Sequence, residues 1–342
     1  MTPGVSPSGN CGSGLPLRLT AAPEKNPRRD REQEGRGGQH RGGDASGRDP
    51  ISGEGAQAWT TSTGRAPMAG EPYGTADDGY ARRVSAIDVL LAELDEWAGA
   101  HGSAPQTHRY GSGPEHEADL LLGAGHGPHR VAVLLHGGFW GARYTRTIMG
   151  AMAVDLARRG WATWNVEYRR VGSDGGAQQT IADVRAAIDA VRELEGALLT
   201  ERLLVIGHSA GGQLALCAAA APAVAAVVSL AGVCDLVAAA EEGIGDGAVV
   251  RFIGAGPQQR PEDYALADPL QRLPTGVPVL LVHGDADTRV PVHQSRTYAA
   301  AAQIAGDRCE LVELTGVDHF ALIDPRTAVW AGVADRLPAL LG

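Results

Sequence analysis

Apolar and polar positions follow two alternating periods along most of the chain. Apolar runs typical of buried strands occur at 118–122, 129–135, 161–167, 203–206, 224–230, 278–282 and 309–314. Between them, apolar side chains recur every three or four positions, as they do over residues 80–100 and in the stripe Ile181, Val184 and Ile188. Because strand and helix alternate, we predict an α/β fold, with a mostly parallel central sheet and helices on both faces.

The first 79 residues lack this periodicity. They are rich in Gly, Ser, Pro, Arg and Glu, so they bury too little apolar area to offset the entropy of ordering the chain. We therefore predict a disordered N-terminal extension over residues 1–79 and one folded domain over residues 80–342. Met68 stands shortly before the first periodic helix, and we expect it, or another internal start, to be the true initiator. An interaction tail is the alternative.

The alternation of strand and helix breaks down between residues 235 and 274. The stretch 241–247 contains three glycines and two glutamates, which favours a loop. Long insertions of this kind often cover a site as a lid. A plain connection made of two short helices is the other interpretation, and the sequence leaves both open.

Composition narrows the range of functions. The net charge of −10 argues against nucleic acid as a partner. The four cysteines are scattered, so neither a disulfide framework nor a zinc site is predicted. No apolar run is long enough to cross a membrane, and the first twenty residues lack the apolar core of a signal peptide. We expect a cytoplasmic protein without a membrane partner.

Residues 203–212 carry the strongest chemical signal. Four apolar residues run into Gly-His-Ser-Ala-Gly at 207–211, and an Ala-rich helical stretch follows. A Gly-x-Ser-x-Gly sequence between a strand and a helix is typical of a nucleophile elbow, in which a tight turn exposes the serine. Backbone N–H groups at the start of the following helix then face developing negative charge. We predict Ser209 to be a nucleophile.

A serine nucleophile needs a base, usually a histidine that a carboxylate orients. In folds with this elbow the chain order is Ser, acid, His. Asp285 and Asp287 both follow the strand at 278–282, and His319 follows the last predicted strand. His319 is therefore the predicted base, and the two aspartates compete for the role of the acid.

Three motifs together resemble the α/β-hydrolase superfamily. They are His-Gly-Gly-Phe-Trp at 136–140, Gly-His-Ser-Ala-Gly at 207–211 and His-Gly-Asp-Ala-Asp-Thr-Arg-Val-Pro at 283–291. The resemblance extends from about residue 120 to the C-terminus. It is greatest to the esterase and kynurenine-formamidase-like branch, which carries a His-Gly-Gly-aromatic-Trp loop, and Glu-Tyr-Arg-Arg at 167–170 also looks like that branch.

The resemblance implies specific roles for residues. The family pattern assigns the acid to Asp287 rather than Asp285. It also implies an oxyanion hole, which we expect to use the N–H of Ala210 together with that of Gly138 or Phe139. Phe139 and Trp140 are predicted at the wall of the substrate pocket, with ordinary core packing as the alternative.

These assignments predict a serine hydrolase that cleaves a carboxylic ester or aryl formamide of a small molecule through an acyl-enzyme. Such chemistry requires neither a metal nor an organic cofactor. A peptidase resembling the prolyl oligopeptidase catalytic domain is a second interpretation, although the N-terminal region is too short for a propeller and shows no repeat. A non-catalytic ligand receptor on the same fold is a third.

Overall fold

An eight-stranded sheet forms the centre of the part of the chain that the computed structural model describes, residues 78–194 and 199–342. In chain order the strands are β1 (Gln106–Arg109), β2 (Glu117–Leu121), β3 (His129–Leu135), β4 (Ala162–Val166), β5 (Leu199–His208), β6 (Val224–Leu230), β7 (Val279–Gly284) and β8 (Cys309–Leu314). Across the sheet they lie in the order β1-β2-β4-β3-β5-β6-β7-β8. β2 runs antiparallel to β1 and β4, and the other neighbours are parallel. The predicted, mostly parallel sheet is confirmed.

Helices cover both faces of this sheet. They are α1 (Asp78–His101), α2 (Gly150–Arg158), α3 (Ala177–Glu193), α4 (Ala210–Ala218), α5 (Leu236–Glu241), α6 (Ile244–Ile253), α7 (Pro261–Ala267), α8 (His293–Ala305), α9 (Ala328–Ala334) and α10 (Leu337–Leu340). Side chains alternate along β3, so Val133 joins a core built with α3 to α8. Leu134 joins a second core with α2, α9 and α10. Burial on both faces explains the nearly continuous apolar strands.

The parallel register brings the candidate loops to one edge of the sheet. Leu135 at the end of β3 pairs with Gly207 near the end of β5. Gly284 at the end of β7 pairs with Leu314 at the end of β8. The loops that leave these four strands therefore begin side by side, at the edge where α/β proteins place their ligands.

Two local features were not predicted from the sequence. Thr180 and Asp183 have the spacing of a capping box but lie inside α3, which starts at Ala177. Instead Thr180 Oγ1 donates to the carbonyl of Arg169 (2.6 Å), and Asp183 pairs with the Arg169 guanidinium (2.7 Å). Strand β1 was not predicted, because it is an exposed edge strand without an apolar pattern.

Residues 236–272 fold into α5, α6, α7 and a short 3₁₀ helix, Pro269–Arg272. This segment packs behind the His-Gly-Gly loop, since a Cβ at Gly245 would lie 2.5 Å from the Phe139 ring. Whether the segment acts as a lid stays a prediction. The expected disordered extension and the start at Met68 lie outside the described residues.

Within the described residues, no helix combines the length and apolarity needed to cross a membrane. Cys217, Cys234 and Cys309 are free thiols. Burial raises the pKa of Cys217 and of Cys234 to about 12, so both stay protonated near neutral pH. They behave as small core residues rather than nucleophiles.

Candidate active site

Ser209 occupies a sharp turn between β5 and α4. Its backbone has φ 57° and ψ −121°, a conformation that L-residues rarely adopt. The flanking glycines are needed because the backbone approaches closely. A Cβ at Gly207 would lie 1.9 Å from the carbonyl oxygen of Gly211, and a Cβ at Gly211 would lie 2.0 Å from that of Leu135. The turn has the geometry of the predicted elbow.

Backbone hydrogen bonds hold the turn in this shape. The Ser209 N–H donates to the carbonyl of Leu230 on the neighbouring strand β6 (2.8 Å). The Ser209 carbonyl accepts from Gly212 N–H in the first turn of α4 (2.8 Å). The serine is therefore fixed to both the sheet and the helix, at the N-terminus where the helix dipole favours negative charge.

Asp287 and His319 meet through a short hydrogen bond. His319 Nδ1 donates to Asp287 Oδ2 (2.6 Å), and the Asp287 side chain is fully buried. With the proton on Nδ1, the neutral ring carries its lone pair on Nε2. This tautomer can accept a proton from a hydroxyl.

Further donors fix the Asp287 carboxylate. Its Oδ1 accepts from the backbone N–H groups of Arg289 (2.7 Å) and Val290 (2.9 Å). Burial raises the pKa of Asp287, but hydrogen bonds from His283 and His319 outweigh burial and hold it well below its usual value. The group is thus an anion at neutral pH.

The structure distinguishes between Asp285 and Asp287, the two candidates for the acid. Asp285 Oδ1 accepts from the backbone N–H of Gly316 (2.6 Å), and the residue is exposed. Its hydrogen bond links the loop after β7 to the loop after β8 and does not reach His319. The geometry places Asp287, not Asp285, against the histidine.

Two other histidines position this pair. His208 Nε2 donates to the backbone carbonyl of His319 (2.9 Å), and its ring lies 4.5 Å from the His319 ring. Burial, reinforced by the charge of His319, lowers the pKa of His208 to about 3, so it stays neutral. His283 Nε2 donates to the carbonyl of Val290 (2.9 Å) and lies 3.4 Å from Asp287 Oδ2. Each ring is therefore engaged by a backbone carbonyl and helps to hold the pair in place.

Ser209 and His319 line one small pocket. Its cavity volume is about 50 Å³, above the roughly 10–15 Å³ that one water molecule needs. The remaining lining residues are Ile87, Leu91, Gly137, Gly138, Phe139, Tyr144, Ile148, His208, Arg289 and Phe320. Ile87 and Leu91 come from α1, which sequence reasoning placed over the core. Their helical periodicity indicated a buried face but not what that face covers.

The predicted oxyanion donors lie close to the serine. Gly138 and Phe139 line the pocket with it, and no acceptor within the described residues engages their backbone N–H groups. Ala210 is the first residue of α4, so its N–H has no acceptor within the helix. Phe139 has φ 50° and Trp140 has φ 55°, a sparsely populated conformation for both.

Trp140 does not lie where it was predicted. Its side chain is fully buried, donates from Nε1 to Gln213 Oε1 (2.9 Å) and stacks on Phe252 at 4.5 Å. It therefore belongs to the core, the alternative that the sequence left open. The consecutive positive φ values send Phe139 to the pocket and Trp140 inward.

A buried ionic cluster supports the loop of residues 136–140. Glu167 Oε1 accepts from His136 Nε2 (3.0 Å) and pairs with Arg170 (2.7 Å), and Glu167 Oε2 accepts from Arg146 N–H (3.0 Å). Burial raises the pKa of Glu167, but these partners outweigh it and keep the carboxylate charged. Tyr168 stacks on His136 at 4.3 Å. The Glu-Tyr-Arg-Arg motif signalled this cluster, although its role was not predicted.

Within residues 78–194 and 199–342, no group of three or more His, Cys, Asp or Glu side chains is arranged to hold a metal ion. The site itself offers a hydroxyl, an imidazole, a buried carboxylate and backbone N–H groups. This is the set that acyl transfer needs.

Comparison with known families gives one match. The model of the BD-FAE family matches residues 119–301, more than half of the 342-residue chain. This range includes the loop at 136–140, the elbow and Asp287, while His319 lies beyond it. No curated protein matches the sequence.

Several solved structures of similar fold, among them esterases, share low sequence identity with this chain. Esterase B from Lactobacillus Rhamnosis (HN001) has a TM-score of 0.61 and 17% identity, covering 77% of this chain and 94% of that one. Esterase 2 from the Planctomycetes species Thermogutta terrifontis has a TM-score of 0.57 and 22% identity, covering 70% and 93%. A bifunctional GH43-CE protein from Bacteroides eggerthii has a TM-score of 0.58 and 22% identity, covering 68% of this chain but only 35% of that one. At these identities the similarity shows the fold.

Proposed function

Because the chain belongs to the BD-FAE family, an α/β-hydrolase esterase family, we propose that it cleaves a carboxylic ester or aryl formamide of a small molecule through an acyl-enzyme on Ser209. One observation carries the proposal. Ser209, on a strained elbow, lines the same pocket as His319, whose Nδ1 lies 2.6 Å from the buried Asp287 carboxylate. This supports the Ser-His-Asp assignment.

The proposed reaction has two halves. Ser209 Oγ attacks the substrate carbonyl while His319 Nε2 takes its proton, and the same ring returns the proton to the leaving alcohol or amine. Water then attacks the acyl-enzyme with His319 again as the base, which releases the acid and restores the serine. Asp287 holds the ring orientation and stabilises its charged form.

The N–H groups of Gly138 or Phe139 and of Ala210 are the proposed donors to the tetrahedral oxyanion. Each such donor contributes about 3 kcal/mol of transition-state stabilisation. The cluster around Glu167 supports this role, because it holds the strained loop that carries two of the three donors. Preorganised donors need no rearrangement when negative charge develops.

The size of the pocket favours a short acyl or formyl group. The cavity beside the serine has a volume of about 50 Å³ and is bordered by Ile87, Leu91 and Phe139, which supports a short acyl group next to Ser209. The esterase 2 structures from Thermogutta terrifontis include one with butyrate bound. We propose acyl groups of that size for this chain.

Hydrolysis of p-nitrophenyl acetate by wild type and by Ser209→Ala tests the proposal. We expect the substitution to reduce kcat/KM by about 10³-fold or more, because a triad without its nucleophile keeps only oxyanion stabilisation and binding. Equal rates in the two proteins would contradict the proposal. N-formylkynurenine against a series of acyl esters then separates formamidase from esterase activity.

A further inference from the structure

Arg289 is a cation without a protein partner in the proposed active-site pocket. Its backbone N–H donates to Asp287 Oδ1 (2.7 Å), so the residue is fixed beside the triad. Across the described residues its guanidinium makes no hydrogen bond or ion pair, although the residue is half-buried. By contrast, Arg146, Arg169 and Arg170 each pair with a carboxylate.

The surroundings of Arg289 leave its charge uncompensated. Among the described residues, no aspartate or glutamate lines the pocket. Asp287 is buried beneath His319, and its oxygens are engaged by that ring and by backbone N–H groups. Asp318, near the base, accepts from two backbone N–H groups. The rest of the lining is largely apolar, which weakens screening and strengthens attraction for an anion.

We propose that Arg289 binds a carboxylate of the substrate, so that the enzyme prefers esters or formamides carrying a negative charge near the scissile carbonyl. This inference rests on the proposed function and adds a substrate class to it. A guanidinium presents a planar fork of N–H donors that matches a carboxylate in a bidentate way. Arg289 lines the same pocket as Ser209 and His319, so a substrate with its carbonyl at the serine can present a carboxylate to the guanidinium.

Matched esters measure the preference directly. The probes are 3-acetoxybenzoate and its methyl ester, which differ in charge but share the scissile bond. The quantity is the ratio of kcat/KM for the anionic ester to that for the neutral one. We expect Arg289→Gln to lower this ratio about tenfold, because a hydrogen bond to a charged group is lost. Arg289→Lys keeps the charge without the fork, so its ratio should fall between the two.

Arg336→Gln is the matched control, since it removes an equally charged but exposed side chain that pairs with Glu310. Its ratio should equal that of wild type. Salt should lower the ratio in wild type and not in Arg289→Gln, because ions still partly screen the attraction at a half-buried guanidinium. A ratio that Arg289→Gln leaves at the wild-type value would overturn the assignment of Arg289 and leave the proposed hydrolase activity intact.

A binding measurement distinguishes a failure of the carboxylate site at Arg289 from a failure of the proposed hydrolase activity. Calorimetry with 3-hydroxybenzoate is carried out on Ser209→Ala and on Ser209→Ala combined with Arg289→Gln. The double variant should bind the anion about tenfold more weakly. If wild type hydrolyses neither ester faster than Ser209→Ala, the proposed function fails. Equal affinities of the two variants for 3-hydroxybenzoate would overturn the carboxylate site, whatever the kinetics show.

Discussion

The elbow and the pocket wall are built in opposite ways. The elbow lies within five consecutive residues, 207–211, and its strained serine is held by close backbone contacts and the start of α4. The wall combines Ile87 and Leu91 from α1 with Phe139, Arg289 and Phe320 from separate loops. In the proposed enzyme the chemistry would thus depend on local geometry, and substrate preference on how distant segments pack together.

This contrast predicts two kinds of response to mutation. A change in the triad or its supports should slow the reaction for every substrate. A change in the wall should alter the ratio between substrates more than the rate with the smallest one. The experiments below run from the largest expected effect to the smallest.

Asp287→Asn should give the largest effect of these. We expect kcat to fall about 10³- to 10⁴-fold on all esters, because the amide favours the wrong tautomer of His319. Asp285→Asn is the matched control two residues earlier, and its kcat should stay within about threefold of wild type, as is usual for a surface position. Steady-state kinetics with p-nitrophenyl acetate measures both, and a larger loss in Asp285→Asn would reverse the choice of acid.

Glu167→Gln tests whether the loop of residues 136–140 contributes to catalysis. Losing the buried charge leaves Arg170 uncompensated, so we expect the free energy of unfolding in urea to fall by about 3 kcal/mol. In the folded variant kcat should fall about tenfold to hundredfold as the oxyanion donors loosen. Glu310→Gln, which breaks an exposed pair with Arg336, should change stability by less than about 1 kcal/mol. If Glu167→Gln folded and kept the wild-type kcat, the loop of residues 136–140 would have no role in catalysis.

His208 connects the elbow to the base loop, and its burial has a pH signature. The unfolded chain protonates this ring below about pH 6.5, whereas the folded pKa is about 3. The unfolded state therefore binds more protons between these values, and the free energy of unfolding falls as the pH decreases through this range. His208→Gln should make that decline shallower by up to about 1.4 kcal/mol per pH unit.

Urea denaturation at pH 4.5, 5.5 and 6.5 provides the measurement. His293→Gln, which alters a histidine paired with Glu242 at the surface, should decline like wild type. If His208→Gln declined as steeply as wild type, the ring would not be held neutral in the folded protein.

Ile87→Ala and Leu91→Ala address the wall and should have the smallest effect. Removing methyl groups there enlarges the space for an acyl chain. The ratio of kcat/KM for p-nitrophenyl hexanoate to that for the acetate should rise about threefold to tenfold. Val89→Ala is the matched control on the same helix, because Val89 is 56% exposed. An equal shift in Val89→Ala would mean that α1 does not bound the acyl group.

The same contrast between local geometry and long-range packing separates the features that the sequence predicted from those that it did not. The elbow was predictable because a strand, a turn and a helix adjoin in sequence and glycine alone fits the contacts at 207 and 211. The order of strands placed Asp287 and His319 at one edge of the sheet. The alternation of strands and helices along the chain predicted a mostly parallel sheet with helices on both faces. The structure confirms both features.

Long-range packing explains what was missed. Trp140 follows Phe139 directly, yet two positive φ values send one ring to the core and the other to the pocket. The periodicity of α1 showed that it buries a face, but not that Ile87 borders the serine. The partners that fix Glu167 are distributed over residues 136–170, and no spacing rule predicts that they converge.

Trapping of the nucleophile tests the central claim most directly. Wild type, Ser209→Ala and His319→Ala are incubated with an activated organophosphate such as paraoxon, and the modified residue is identified by peptide mass spectrometry. The account predicts a single phosphoryl adduct on Ser209 in wild type, none in Ser209→Ala and strongly slowed labelling in His319→Ala. An adduct on another residue, or hydrolysis that persists with Ser209 unmodified, would contradict it.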